Sequence, residues 1–286
     1  MKHLILNADD FAFNAAVSRG IVTLAQQGRL TATSAMTLSP RWATDAPALA
    51  ELRGQVDVGL HLDWTSALAI QAGHGKSLPV AMLKAVFGGF SQVEAKTVIE
   101  RQLDAFERVW QAPPSHIDGH QHVQQFKGIR EALVEVMAQR YSSVTVGKKP
   151  YLRISQDPHA DSGQGDLKSK VIAGLGANTT KNIALQANIT PARGLFGVYN
   201  FKNNDENGDL SYAERMQAWL AQAPAGCIIM CHPANGKPDG GDTEDDIAQA
   251  RQWEFDYLAS SAFADDLSEA QVNLMPLFSI KSPKTT

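Results

Sequence analysis

Short apolar runs of strand length alternate along the chain with longer runs whose apolar residues recur every three to four positions. HLILNAD is followed by VSRGIVTLAQQG, then TATSAMTL, APALAELRG and VDVGLHLDW. That alternation predicts βα units around a mainly parallel sheet. Further on, TVIERQLDAFERVWQA and IREALVEVMAQRY carry helical spacing, while SHIDGHQHV, SVTVGK and YLRIS read as strands. YAERMQAWLAQA then reads as a helix, GCIIMCHP as a buried strand, and DIAQARQWEFDYLASSAFADDLSEA as one or two closing helices. The expected product is a closed or nearly closed α/β barrel. Two stretches, near 66–90 and 155–170, break the rhythm and are expected to form loop insertions over one barrel end. No repeat or linker composition divides residues 1–286, so a single domain is expected, with KSPKTT as a frayed tail.

Composition narrows the partners. With 44% hydrophobic and 20% charged residues the chain can bury a large core, which argues against disorder. A net charge of −4 offers no general attraction for nucleic acid or anionic lipid, so a neutral or cationic small substrate fits better. The amino terminus enters a strand directly, and no apolar run approaches membrane-spanning length. A cytoplasmic protein with no membrane or nucleic-acid partner is therefore expected, and a homodimer is the expected form of any self-association. Cys227 and Cys231 lie four apart in one strand, roughly 13 Å, too far for a disulfide. They read as buried thiols.

The candidate chemistry sits where apolar strands run out, and in α/β barrels active sites gather at the carboxyl ends of strands. Asp9 and Asp10 end the first strand, and two adjacent carboxylates need a cation or a catalytic task to offset their repulsion, although one could simply cap the next helix. His61 ends VDVGLHL, a weak signal alone. His116, Asp118, His120 and His122 recur at two-residue spacing. On one strand they would share a face, and metal binding would relieve the cost of burying them. A turn at Gly119 would redirect the last two. His232 precedes Pro233 at another strand end, where a general acid could stand. Two histidines and a carboxylate with open positions make a catalytic type of metal site, used to activate water. Spacing alone does not choose between Asp9 and Asp10, or between His120 and His122.

NADDF, GLHL, HIDGHQHV, RGLFGVYNF and MCHPA, spanning residues 7 to 234, together resemble the YdjC (ChbG-type) carbohydrate deacetylase family. The resemblance implies a TIM-like (β/α) barrel, seven-stranded and incompletely closed, and removal of acetyl groups from N-acetylglucosamine-type oligosaccharides. It also implies one divalent metal ion, zinc or magnesium or another transition metal, held by Asp10, His61 and His120, with Asp9 as general base and His232 as the acid for the leaving amine. Two positions depart from the family pattern: Gln124 stands where a further histidine is common, and Asp63 where asparagine is.

Other residues carry less. Arg153 could contact substrate, tune Asp9 or join an ion pair. His122 is a further candidate contact, and Trp64 and Tyr199 could stack on a sugar, although core packing is the commoner fate of such rings. Residues 203–214 match a calcium-loop template in part, but a turn and a helix capped by Ser211 with Glu214 fit better. The competing readings are a metal-dependent hydrolase of another amide or ester bond and a catalytically silent sugar-binding barrel. Asp9 and His232 argue against the latter, since binding alone needs neither base nor acid.

Overall fold

The computed structural model describes residues 1–145, 148–158, 167–203, 210–242 and 244–277. Its strands are β1 (Lys2–Phe11), β2 (Ala32–Ala35), β3 (Asp57–Leu62), β4 (His116–Gly119), β5 (Tyr151–Leu152), β6 (Leu195–Phe196), β7 (Ile228–Cys231) and β8 (Val272–Leu274). Between them run α1 (Ala15–Gln26), α2 (Arg41–Ala50), α3 (Ala67–Gln71), α4 (Leu78–Phe87), α5 (Gln92–Trp110) and α6 (Ile129–Arg140). The second half adds α7 (Leu167–Gly174), α8 (Ala177–Gln186), α9 (Tyr212–Gln222), α10 (Ala248–Ala259) and α11 (Ser261–Glu269).

Every strand pairing is parallel, in the order β5-β4-β3-β2-β1-β7-β6, and β8 adds to the amino-terminal end of β1. Among the described residues no ladder joins β5 to β6. The ring is joined there by an isolated bridge from Leu152 to Pro191 and by Leu195 N–H donating to the Gln156 carbonyl at 3.0 Å. The expected seven-stranded, incompletely closed TIM-like barrel is the observed architecture.

Two apolar layers follow from the alternation of strand side chains. Outward-facing Leu4, Leu6, Ala8, Leu60 and Ile229 pack under the helices, where Trp42 stacks on Phe106 at 5.2 Å. Inward-facing Ile5, Ala32, Tyr151, Leu195, Ile228 and Met230 plug the barrel. Two residues further along each strand, the inward face turns polar: Ile5 leads to Asn7 and Asp9, Ala32 to Ser34, Tyr151 to Arg153, and Met230 to His232. Thus one face of β1, β2, β5 and β7 is apolar at its amino end and polar at its carboxyl end.

Several elements differ from the sequence reading. The stretch near 66–90 is not an irregular loop: Ser66 caps α3 by accepting from Leu68 and Ala69 N–H, and Pro79 opens α4, where its missing N–H costs nothing. In SVTVGK, Ser143 lies in a turn, Val144 in a bend and Thr145 in irregular backbone instead of strand, while 146–147 lie outside the described residues. The insertion near 155–170 lies outside them at 159–166, as do 204–209 of the calcium-loop candidate and the terminal 278–286. At the described end of that candidate, Ser211 and Glu214 form the expected capping box on α9. Cys227 and Cys231 are buried free thiols. No helix among the described residues is long and apolar enough to cross a membrane.

Candidate active site

β1 ends in a distortion that puts two adjacent carboxylates at one place. Consecutive strand residues point to opposite faces, yet the β1–β2 register shifts between Ala8 and Phe11, and Asp10 and Ala12 adopt φ of 71° and 69°. Left-handed backbone is tolerated by aspartate better than by most residues and costs about 1 kcal/mol. The bulge turns Asp10 back beside Asp9, and both line the cavity at the strand ends.

Asp9 is held from behind. Arg153 Nη1 donates to its Oδ1 at 2.6 Å, Arg153 Nη2 to its Oδ2 at 2.8 Å, and Asn7 Nδ2 donates to Oδ1 at 2.6 Å. Burial alone would raise the Asp9 pKa, but the Arg153 charge, with His61 nearby, overrides it and holds the carboxyl below its usual range. Arg153 is 1% exposed, does not line the cavity, and also stands 2.8 Å from Asp118 Oδ2. Substrate contact by Arg153 is thus opposed by its burial behind Asp9.

Asp10 divides its two oxygens. Oδ1 lies 3.2 Å from His61 Nε2 and 3.0 Å from His120 Nδ1, while Oδ2 accepts from Arg251 Nη2 at 2.8 Å. His61 Nδ1 donates to Asp118 Oδ1 at 2.7 Å, an arrangement that fixes the ring and aims Nε2 at Asp10. Despite burial, Asp118 and Asp9 raise the His61 pKa to about 10. The surrounding carboxylates thus favour positive charge at this cluster, as a metal-binding donor set should. Asp10, His61 and His120 offer ligand atoms within 4.8 Å of one another, and so do Asp9, His61 and Asp118. The first set fits a metal better: all three residues line the cavity, whereas Asp118 is fully buried and Asp9 is engaged by Arg153.

The HIDGHQHV motif does not present four groups on one face. β4 stops at Gly119, and Gln121 and His122 take φ of 53° and 63° in the 3-10 turn that follows. His116 and Asp118 stay inside the barrel, His120 swings to Asp10, and His122 Nδ1 pairs with Ser155 Oγ at 2.9 Å. His116 stacks on Tyr151 at 5.0 Å, and burial pushes its pKa down to about 4. Burial and Arg153 push His122 to about 3. Gln124, fully buried, donates to Ser155 Oγ at 3.0 Å and so braces this turn.

His232 lines the opposite wall, 8% exposed, with Phe201 edge-on at 5.3 Å. Its backbone N–H donates to Glu254 Oε2, and its Nδ1 lies 3.7 Å from Glu254 Oε1 with no hydrogen-bond partner among the described residues. Tyr199 lines the cavity, but its hydroxyl donates to Glu254 at 2.7 Å and its ring is 4% exposed. Trp64 is a correction. It is 2% exposed, edge-on to His74 at 5.6 Å, and absent from this cavity. Asp63 accepts from Thr65 and Ser66 N–H and shapes the β3 loop.

The cavity encloses 890 Å³, with Leu78 and Met82 of α4, Ile172 and Leu175 beyond, and Phe126 forming an apolar wall opposite the charged floor. Sequence reasoning missed Arg251 and Glu254. Both are buried on α10, on the stripe that Ala250 and Leu258 also occupy. Charged residues at core spacing were the available signal.

A family model described as YdjC-like protein matches residues 3–269. A chitooligosaccharide deacetylase from Serratia marcescens is 32% identical over 144 residues, 48% of this chain and 56% of that protein. A carbohydrate deacetylase from Thermoanaerobacter pseudethanolicus is 29% identical over 154 residues, 50% and 59% of the two chains. The chain thus spans little more than half the length of the curated relatives it matches. A crystal structure of an Enterococcus faecalis V583 protein, provisionally named for cellobiose-phosphate cleavage, superposes with a TM-score of 0.67 at 20% identity over 98% of both chains, a likeness of fold. With 267 consecutive residues matched by its model, the chain belongs to the YdjC-like protein family.

Proposed function

We propose that the protein is a metal-dependent hydrolase that removes acetyl groups from N-acetylated sugars of the N-acetylglucosamine type. The observation that carries this reading is the convergence of Asp10, His61 and His120 on the floor of a cavity that Asp9 and His232 also line. The names of the relatives from Serratia and Thermoanaerobacter point the same way. Asp10, His61 and His120 would hold one divalent ion. The two imidazoles suit zinc or another transition metal, and magnesium suits the site when waters complete its shell.

When bound, such an ion polarises the acetyl carbonyl and makes water more acidic. Asp9, kept ionised by Arg153, accepts the proton that the attacking water gives up. His232 donates a proton to the sugar nitrogen as the carbon–nitrogen bond breaks, because an amide leaves poorly as an anion. Water is added across the bond, giving acetate and a free amine. The cavity size suits a short oligosaccharide. Among its described lining residues Arg251 is the sole lysine or arginine, and Asp10 and Asp245 already engage it, which supports a neutral sugar over a phosphorylated one.

The test is acetate release from N,N′-diacetylchitobiose by metal-stripped protein reloaded separately with zinc, magnesium, manganese or cobalt. Release that depends on metal and is abolished by Asp9→Asn is the expected result. No release with any metal, from protein that binds the ion, would redirect the reading to another bond or to sugar binding without turnover.

A further inference from the structure

Arg251 joins the candidate metal site to the elements around the barrel mouth. It is 2% exposed, and α10 carries it across the mouth. Nη2 donates to Asp10 Oδ2 at 2.8 Å, Nε pairs with Asp245 Oδ2 at 2.7 Å, and Nη1 reaches the His232 carbonyl at 3.5 Å. Its backbone is tied to the same region, since Ala234 N–H donates to the Arg251 carbonyl at 3.1 Å. The guanidinium is therefore held on several sides before it touches Asp10.

Asp10 needs such a holder. It sits in left-handed backbone within a bulge, so its own strand does not fix the carboxylate plane. Arg251 takes Oδ2 and leaves Oδ1 facing His61 Nε2 and His120 Nδ1. We propose that Arg251 is the positioning residue of the metal site: by occupying Oδ2 it limits Asp10 to donation through Oδ1 and thereby sets which ions the site prefers. The proposal rests on the reading of Asp10, His61 and His120 as ligands. Ions such as calcium take both oxygens of a carboxylate and more ligands in all, whereas zinc and cobalt are satisfied with four or five donors. A clamp on one oxygen selects against the former.

Charge and orientation make different demands here. Removing a cation beside a dication strengthens binding of every divalent ion, whatever its size. Releasing Oδ2 acts selectively, helping ions that accept two carboxylate oxygens and loosening the geometry for those that do not. A ratio of affinities cancels the first effect and keeps the second.

The experiment measures dissociation constants for zinc, cobalt and calcium, by chelator competition, in the wild-type full chain, Arg251→Met, Arg251→Lys and Asp10→Asn, with thermal unfolding of each metal-free protein. Asp10→Asn is expected to weaken zinc and cobalt strongly. In Arg251→Met the preference for zinc over calcium is expected to fall by about tenfold or more, in line with the loss of a group that supports a ligand, and the absorption bands of bound cobalt to shift. Arg251→Lys, a point charge able to reach one oxygen, is expected to keep part of the preference. An unchanged ratio in a folded Arg251→Met or Arg251→Lys, whatever the absolute affinities do, overturns the proposal while leaving the metal site standing. Undiminished metal binding by Asp10→Asn overturns both. None of these readouts requires that acetate be released, so failure of the deacetylase reading is seen separately.

Discussion

Arg153 makes no wall of the cavity, yet it neutralises two of the carboxylates nearest the chemistry, Asp9 and Asp118. Breaking a buried ion pair by removing one partner commonly costs about 3–5 kcal/mol, because the remaining charge stays desolvated. Arg153→Met is therefore expected to lower the stability of the metal-free protein by that order, read from the denaturant midpoint. In the metal-loaded protein kcat is expected to fall with KM nearly unchanged, since the side chain lies behind Asp9 and does not face the substrate. A rise in KM with kcat preserved would instead make Arg153 a substrate contact. At this scale the legible residues were those ending apolar strands: Asp9, Asp10, His61 and His232 each close such a run, and strand alternation aims Asp9, His61 and His232 inward, whereas Asp10 is brought beside them by the bulge. The partner of each was not legible. Whether Arg153 meets a sugar or Asp9 depends on how deep β5 sits in the barrel, and Arg251 reaches Asp10 across 241 residues of chain.

Strand alternation also explains why GLHL needs its glycine. Gly59 and His61 share the inward face of β3, and a Cβ at position 59 would stand 2.4 Å from the His116 ring of the neighbouring strand. His116 cannot retreat freely, because it is stacked on Tyr151 and buried. Gly59→Ala is expected to cost roughly 1–3 kcal/mol through overpacking. Combined with His116→Ala it is expected to cost less than the sum of the two single changes, because the clash is then gone. Strict additivity in the thermal unfolding of the four proteins would show that the glycine serves some other purpose. The long amphipathic helices and the buried strands β1, β3 and β7 were readable from periodicity. The two-residue β5 and β6 were marginal, as pairs that short take their conformation from neighbours. For HIDGHQHV the sequence left a continuous strand and a turn at Gly119 both open, and the turn is what forms: a period of two carries no mark of where a strand stops, and the left-handed residues Gln121 and His122 have no glycine to announce them.

Across the whole molecule, the barrel has a chemical top and a structural bottom, and the bottom holds one carboxylate at a cost. Asp57 begins β3, where its Oδ2 accepts from Leu277 N–H at 2.9 Å and so ties the last described segment to the strand ring. Burial pushes its pKa up to about 6, with the Leu277 bond opposing in part. An acid whose folded pKa exceeds its unfolded value of roughly 3.9 binds its proton more tightly in the native state. The penalty for ionising it is absent below pH 4, grows as pH rises to about 6, and is complete above that, reaching at most about 3 kcal/mol at about 1.4 kcal/mol per pH unit. Asp57→Asn keeps an oxygen for Leu277 N–H and removes the charge. Its unfolding temperature is therefore expected to match the wild type near pH 4 and to exceed it by several degrees at pH 7.5. The distance of Asp57 from the catalytic end predicts that metal binding is unaffected. A stability difference that does not vary with pH would mean that the carboxylate is solvated and that the Leu277 contact, which the variant retains in altered form, is what changed.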